Sequence, residues 1–314
     1  MSKILYITDM HLKGVNPRNR TDNYCEAIKA KIVESLDIAK KEKVKLIICG
    51  ADVYDGYLVS NVLSDWFIDL IEKYKINILI APGNHDEAFN NWSLSNATSL
   101  AHMFRRSKYI KQLGEYEDEN IYIKGQEYYV GIEDDLNKEF PQHDKKDKLT
   151  IYVPHAMIVD VKVWFTTSVY YENIKTNYDI VLVSHNHKYW GIKKEQDPVF
   201  IAPGAIARCK ADEYDINRIP SIAIITIKKN KLYDIDIIPL KSAKKVEDIF
   251  DLKALSIQKE NKKKMEMFTA GLKNIKIQTM KVIDVVMGVC ESSKTEEPVV
   301  KNLRERIGLC EKGE

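Results

Sequence analysis

Apolar residues in the first third of the chain follow two rhythms. Unbroken runs, KILYIT (3–8), VKLIICG (44–50) and INILIAPG (76–83), have the length and branched content of buried strands. Between them Ile28, Ile32, Leu36 and Ala39, and then Val62, Trp66, Leu70 and Tyr74, recur at helical spacing. Thr21 or Asp22 is placed to cap the first of these helices. Alternation of strand and helix predicts parallel strands joined by crossover helices. Further runs, IYIKG (121–125), EYYVGI (127–132), LTIYVPHA (149–156), DIVLVSHNH (179–187) and VFIAPGAI (199–206), have little helix between several of them, which predicts a second sheet. SIAIITIKKNKLYDIDIIPL (221–240) reads as a hairpin with Lys229, Asn230 and Lys231 near its turn.

The pattern changes after residue 240. From Lys241 onward the chain is rich in Lys and Glu, its apolar residues recur at helical spacing, and no Gly or Pro interrupts it as far as Ala270. The expected organisation is a domain over 1–240 and a basic helical appendage over 241–314, with ESSKTEEP (291–298) as a linker before a short terminal helix.

Composition limits the classes open to this chain. An apolar fraction of 45% and a charged fraction of 30% describe a soluble globular protein, and 314 residues suffice for a substantial core. A net charge of +2 provides no global field for nucleic acid, so any such field must be local. Five scattered cysteines with no C-x-x-C pair argue against a disulfide framework or a structural zinc site. The initial apolar run is too short for a signal peptide, and no stretch approaches the roughly 20 apolar residues of a membrane span. A soluble cytoplasmic protein is expected, without membrane contact.

Five of seven histidines stand at or just beyond strand ends: His11, His85, His155, His185 and His187. Asp9, Asp52 and Asn84 share that placement. One strand-end histidine usually bonds backbone or water, and one such Asp usually makes a turn. Together they imply a common site, because parallel strands deliver their carboxyl ends to one edge, where ligands bind. Imidazole, carboxylate and amide oxygen without thiolate suit Mn²⁺, Fe²⁺, Zn²⁺ or Mg²⁺. Such a set is too large for one ion and natural for two bridged by a carboxylate. Two ions roughly 3.5–4 Å apart activate a shared water and clamp phosphoryl oxygens.

In order, DMH, GADVYD, GNHD, PHA and SHNH resemble the motif series D-x-H, G-D-x-x-D, G-N-H-D/E, H and G-H-x-H of the calcineurin-like metallophosphoesterases. The resemblance implies a four-layer αββα sandwich of two mixed sheets flanked by helices. It also implies Asp9, His11 and His187 as ligands of one metal, Asn84, His155 and His185 as ligands of a second, and Asp52 as the bridge. His85 resembles the unliganded histidine that faces the scissile phosphate, and Asp55 the acid that orients it; both count as catalytic candidates. Asp86 is expected to order its loop. Ala51 and Ser184 stand where the family usually has glycine, which calls for local backbone adjustment without loss of a ligand.

DMHLKG, its spacing from GNHD, the segment FIAPGAIARCKADEYDINRIPSIAII and the basic helical tail are similar to SbcD-type DNA exonuclease subunits, phage versions included. That similarity implies Mn²⁺-dependent cleavage of DNA phosphodiesters in repair or recombination. It further implies a homodimer, and C-terminal helices that bind an SbcC-like coiled-coil ABC-type ATPase. KKEK, RNR and FRR supply local basic points, and Trp92, Phe104 and Tyr109 are candidates for base stacking. In the tail, Ile249, Phe250, Leu252, Leu255, Ile257, Met265, Met267 and Phe268 are available for packing in cis or on a partner. Two alternatives stay open: a small-molecule or cyclic-nucleotide phosphodiesterase on the same scaffold, and a non-catalytic scaffold of an ATPase complex.

Overall fold

Strand β1 (Ser2–Ile7) lies at the centre of the first sheet, and its side chains show how the layers are built. Leu5 and Ile7 point to one face and pack with Ile28 and Ile32 of helix α1 (Tyr24–Lys41) and Phe67 of α2 (Asn61–Tyr74). Ile4 and Tyr6 point to the other face, onto Ile151 and Leu182 of a second sheet. The period of two in a strand thus feeds two separate cores.

The first sheet has the order β14 (Tyr233–Pro239), β13 (Ser221–Ile227), β1, β2 (Leu46–Cys49), β3 (Asn77–Ile80), β4 (Ile110–Gln112). Strands β1 to β4 are parallel, joined by α1, α2 and α3 (Ser99–Arg106) as crossovers, and β13 closes antiparallel on β1. The second sheet has the order β11 (Gly191–Lys193), β12 (Val199–Ala202), β10 (Ile180–Leu182), β7 (Leu149–Pro154), β6 (Ile121–Gln126), β5 (Glu115–Glu117). Its inner strands are parallel and its two edges antiparallel. The outer face, with Tyr152, Val181 and Phe200, is covered by Ile132 and Leu136 of α4 (Ile132–Lys138) and by the small pair β8 (Ile158–Val159) and β9 (Val169–Tyr170). The αββα sandwich of two mixed sheets expected from the sequence is the observed architecture.

This computed structural model describes residues 2–18, 20–163, 166–194, 197–211, 213–228, 233–253, 256–257, 260, 263–267, 269 and 282–311. The chain divides into two units, Met1–Phe250 and Asp251–Glu314. From the compositional change at 241 to Phe250 the chain still packs within the first unit. Lys241 and Ser242 amides donate to Glu34, the Thr21 amide donates to Ile249 O at 3.0 Å, and Arg20 stacks on the Phe250 ring. Ile249 and Phe250 are therefore core residues of that unit, not members of a tail surface. In the second unit helices run over Val282–Ser292 and Glu297–Glu311, separated by residues of the expected linker. Leu255, Phe268 and the hairpin residues Lys229, Asn230 and Lys231 lie outside the described residues.

Three local expectations are corrected. Asn23 caps α1 by accepting from the Glu26 amide, because the Asp22 carboxylate is taken by Arg20 at 2.8 and 2.9 Å. Helix α2 turns Leu63, Phe67 and Ile71 inward and leaves Val62 82% exposed; Trp66, Leu70 and Tyr74 flank that row. Both rows have i, i+4 spacing, so spacing could not choose between them. EYYVGI is not a strand: Gly131 takes φ +95° and Ile132 starts α4, whose first turn carries Glu133, Asp134 and Asp135 at the positive end of the helix dipole. No helix among the described residues is long and apolar enough to cross a membrane.

Candidate metal centre

The carboxyl ends of β1, β2 and β3 in one sheet, and of β7 and β10 in the other, meet at one edge of the sandwich. Asp9 and His11 follow β1, Asp52 follows β2, Asn84 and His85 follow β3, His155 follows β7, and His185 and His187 follow β10. Hydrogen bonds tie the sheets together at this edge. The Tyr6 hydroxyl donates to Val183 O at 2.8 Å, His155 Nδ1–H donates to Gly50 O at 3.1 Å, and the His185 amide donates to Asp9 Oδ1 at 3.3 Å.

The loops that present these groups are strained. Asp9 (φ 49°), His11 (φ 44°), Asp52 (φ 49°) and His185 (φ 63°) all occupy the left-handed region. Each such residue costs on the order of 1–3 kcal/mol and persists only where its surroundings fix it. Here the amides of Asp9, His11 and Leu12 bond to Ala51 O, Asp52 O and Val53 O, locking the first two loops to each other. Ala51 takes φ 117°, a conformation suited to glycine, so its methyl group adds to the strain of this loop. Ser184 is accommodated differently: it is fully buried, with its hydroxyl donating to Pro154 O at 2.8 Å.

Every expected ligand residue faces this cluster. His11 Nε2 lies 3.0 Å from His187 Nε2, and His187 Nε2 lies 3.7 Å from Asp9 Oδ1. His155 Nε2 lies 3.1 Å from both Asn84 Oδ1 and His185 Nδ1. Asp52 Oδ2 sits between the two groups, 3.7 Å from His11 Nε2 and 3.4 Å from His155 Nε2. Three sets, Asp9–His11–His187, His11–Asp52–His85 and Asp52–His155–His185, each bring ligand atoms close enough to hold an ion.

These residues fit a divalent cation on three grounds. Asp52 Oδ2 is buried with no hydrogen-bond partner among the described residues, although imidazoles flank it. Imidazole nitrogens confront each other at 3.0–3.1 Å, which is repulsive unless a proton or cation lies between them. The charge states of His185 and His187 agree as well. Burial and the neighbouring His155 hold His185 down to about 3, and burial with His11 and Arg218 nearby holds His187 well below its usual range, so both keep a free lone pair. Burial also works against charge on His155, but Asp52 and Asp9 push it up to about 9.

Around the cluster, other side chains fix its members. The Asp55 carboxylate lies 3.1 Å from His11 Nδ1 and 2.6 Å from Lys13 Nζ. The expectation that this carboxylate orients His85 is corrected: it is engaged by His11 and Lys13. The backbone carbonyl of Asp55 accepts instead from His85 Nδ1–H at 3.2 Å. Asp86 orders its loop as expected, accepting from the Asp52 amide at 2.8 Å and the Gly83 amide at 3.1 Å.

Arg218 has no place in the motif series, yet it braces the centre. Its guanidinium pairs with Asp215 at 2.7 Å and donates to Ala205 O and Ala207 O. Amides of Ala205 and Ala207 in turn bond to His187 O and Asp9 O. The only sequence signal was an Asp–Arg pair at i, i+3 in DINR, a common surface pattern. Phe104 and Tyr109, expected as stacking aromatics, are instead partly buried against the helical core.

Residues 2–204 match the family described as Calcineurin-like phosphoesterase, and the chain belongs to that family. Membership implies a hydrolase of phosphoesters that uses divalent metal ions. Among solved structures, the protein TT1561 of Thermus thermophilus is 11% identical, covering 75% of this chain and 98% of its own, at a TM-score of 0.40. A second solved structure is 9% identical over 76% of this chain and 99% of its own, at a TM-score of 0.46. No curated protein matches the chain.

Two outcomes test the geometry. A Cβ on Gly83 would collide with Asp52 Oδ1 and lie 2.9 Å from the Ala51 Cβ. Gly83→Ala is therefore expected to weaken Mn²⁺ binding by on the order of 10–100-fold, measured by calorimetry, with cooperative unfolding retained. The second concerns protons. His155 is raised from 6.5 to about 9, so its pairing stabilises the metal-free protein in full below pH 6.5 and is lost as pH rises through about 9. Cation binding must expel that proton. Mn²⁺ affinity should rise with pH and level off above about 9, with proton release at pH 7 detected by calorimetry in buffers of different ionisation heat.

Proposed function

We propose that this chain is a two-metal phosphodiesterase of the SbcD type that cleaves DNA from its ends. Asp9, His11 and His187 would hold one ion and Asn84, His155 and His185 the other, with Asp52 available to both. The observation that carries the reading is Asp52 Oδ2, buried and unbonded between imidazoles that belong to both groups. When bound, such ions neutralise phosphate oxygens and activate water for in-line attack.

The chain's own residues perform the remaining work. Asp9, Asp52 and the neutral imidazoles fix the ligand geometry before substrate arrives, so little reorganisation is needed during reaction. The Asp55 carboxylate, 3.1 Å from His11 Nδ1, sits behind that ring and favours its Nε2 as the ligand atom. His85, held through Nδ1 by the Asp55 carbonyl, directs Nε2 to the phosphate and, when protonated, donates to the leaving oxygen.

The SbcD resemblance points to manganese, and the mixed nitrogen and oxygen set would also accept Mg²⁺, Fe²⁺ or Zn²⁺. DNA as substrate is supported by the ordered similarity from DMHLKG to the DINRIP segment and by the lysine-rich tail. Exposed Leu252, Ile257, Met265 and Met267 suit a helix that binds the coiled-coil base of an ATPase partner. A small diester is the second reading, favoured by a cavity of only about 290 Å³ beside the centre.

The full chain with Mn²⁺ is expected to hydrolyse both bis-p-nitrophenyl phosphate and linear DNA from its ends. Activity on the small diester with none on DNA across several salt concentrations would select the second reading. His85→Ala should lower kcat by about 10²–10⁴-fold while both ions stay bound. Loss of an ion in that variant would make His85 a ligand.

A further inference from the structure

The cavity beside the metal centre has two unlike walls. One consists of Asp52, His85, His185 and His187; the other carries Lys188, Lys210, Tyr214 and Asp215. The second wall is assembled from separate segments, one directly after the ligand His187 and one after β12. Lys188 and Lys210 thus place two cationic side chains at one cavity, where a second anionic group would be attracted.

Each lysine is positioned without losing its charge. Lys188 Nζ rests 3.8 Å from the centroid of the Tyr214 ring, a cation–π contact that fixes the ammonium but, unlike a carboxylate, does not neutralise it. The Lys210 amide donates to Asp215 Oδ2 at 2.9 Å, and Asp215 Oδ1 is clamped by Arg218 at 2.7 and 2.9 Å. That clamp offsets the acidic charge on the wall and holds the backbone of Lys210. The Lys210 side chain is exposed and has no ion pair with a described residue.

We infer that Lys188, Lys210 and Tyr214 form a subsite for a second phosphate, the one that neighbours the scissile phosphate on a polynucleotide strand. The inference rests on the phosphodiesterase reading for the position of the scissile group and assigns residues to the strand beyond it. A lone diester offers one phosphate to the metal centre and none to these lysines. A strand supplies a phosphate on the far side of one sugar, where Lys210 and Lys188 contribute charge-assisted hydrogen bonds and Tyr214 presents an aromatic face.

The test is calorimetric binding to the Mn²⁺-loaded full chain, with three probes. Thymidine 5′-monophosphate has one phosphate, thymidine 3′,5′-bisphosphate has one on each side of the sugar, and thymidine 5′-diphosphate has both on one side. The bisphosphate is expected to bind tighter than the monophosphate by on the order of tenfold or more, and tighter than the diphosphate. In Lys188→Gln/Lys210→Gln that advantage should fall to near one, and the exposed single variant Lys210→Gln should lose part of it. An advantage of the same size in wild type and variants, or none in wild type, overturns the subsite. An advantage confined to the diphosphate overturns the strand assignment. Because binding is read without turnover, absence of bis-p-nitrophenyl phosphate hydrolysis would count against the phosphodiesterase reading separately.

Discussion

Buried histidines and acids from two different sheets face one another with too few protons to satisfy them all. His155 alone has Asn84, His185 and Asp52 within 3.4 Å of one ring nitrogen, while its other nitrogen is already bonded to Gly50. Desolvation makes each isolated charge costly in such a place, and the groups are tolerable only as a set. That mutual dependence explains the opposed titration of neighbours, His155 upward and His185 downward, within a single cluster. A divalent cation resolves the conflict by accepting lone pairs that protons cannot satisfy together.

The sandwich exists in a form that serves this cluster. Parallel strands in both sheets bring their carboxyl ends to one edge, and the Tyr6–Val183 and His155–Gly50 bonds hold the sheets in register there. Glycine appears at the points of closest approach: a Cβ on Gly50 would come within 2.5 Å of the Tyr6 hydroxyl and 2.6 Å of Thr8 Oγ1. Left-handed backbone at Asp9, His11, Asp52 and His185 is the conformational cost, offset by loop-to-loop hydrogen bonds and by the Arg218 brace beneath the His187 and Asp9 loops. Several strained residues gathered at one site are what a preorganised centre requires.

Much of this was legible in the residues, and the unread parts have physical reasons. Strand runs and the histidines after them located the edge, because chemistry-bearing side chains at strand ends leave a local pattern. The inward face of α2 was not legible, since Val62–Trp66–Leu70–Tyr74 and Leu63–Phe67–Ile71 have the same spacing and only tertiary packing chooses. EYYVGI reads as a strand until the backbone at Gly131 is known. Asp55 was recognised as part of the site, but whether its carboxylate or its carbonyl meets His85 depends on loop geometry that no spacing encodes. Arg218 and the Lys188–Lys210 wall were invisible because both are built from long-range approach between ordinary charged residues.

The proposed chemistry depends on Asp52 joining two cation sites, each assembled from both sheets. Crystals soaked in manganese and measured at its absorption edge test it most directly. The account predicts two anomalous peaks on either side of the Asp52 carboxylate, one toward His11 and His187 and one toward His155 and His185. A single peak remote from Asp52, or no peak while the carboxylate keeps its position, would contradict it.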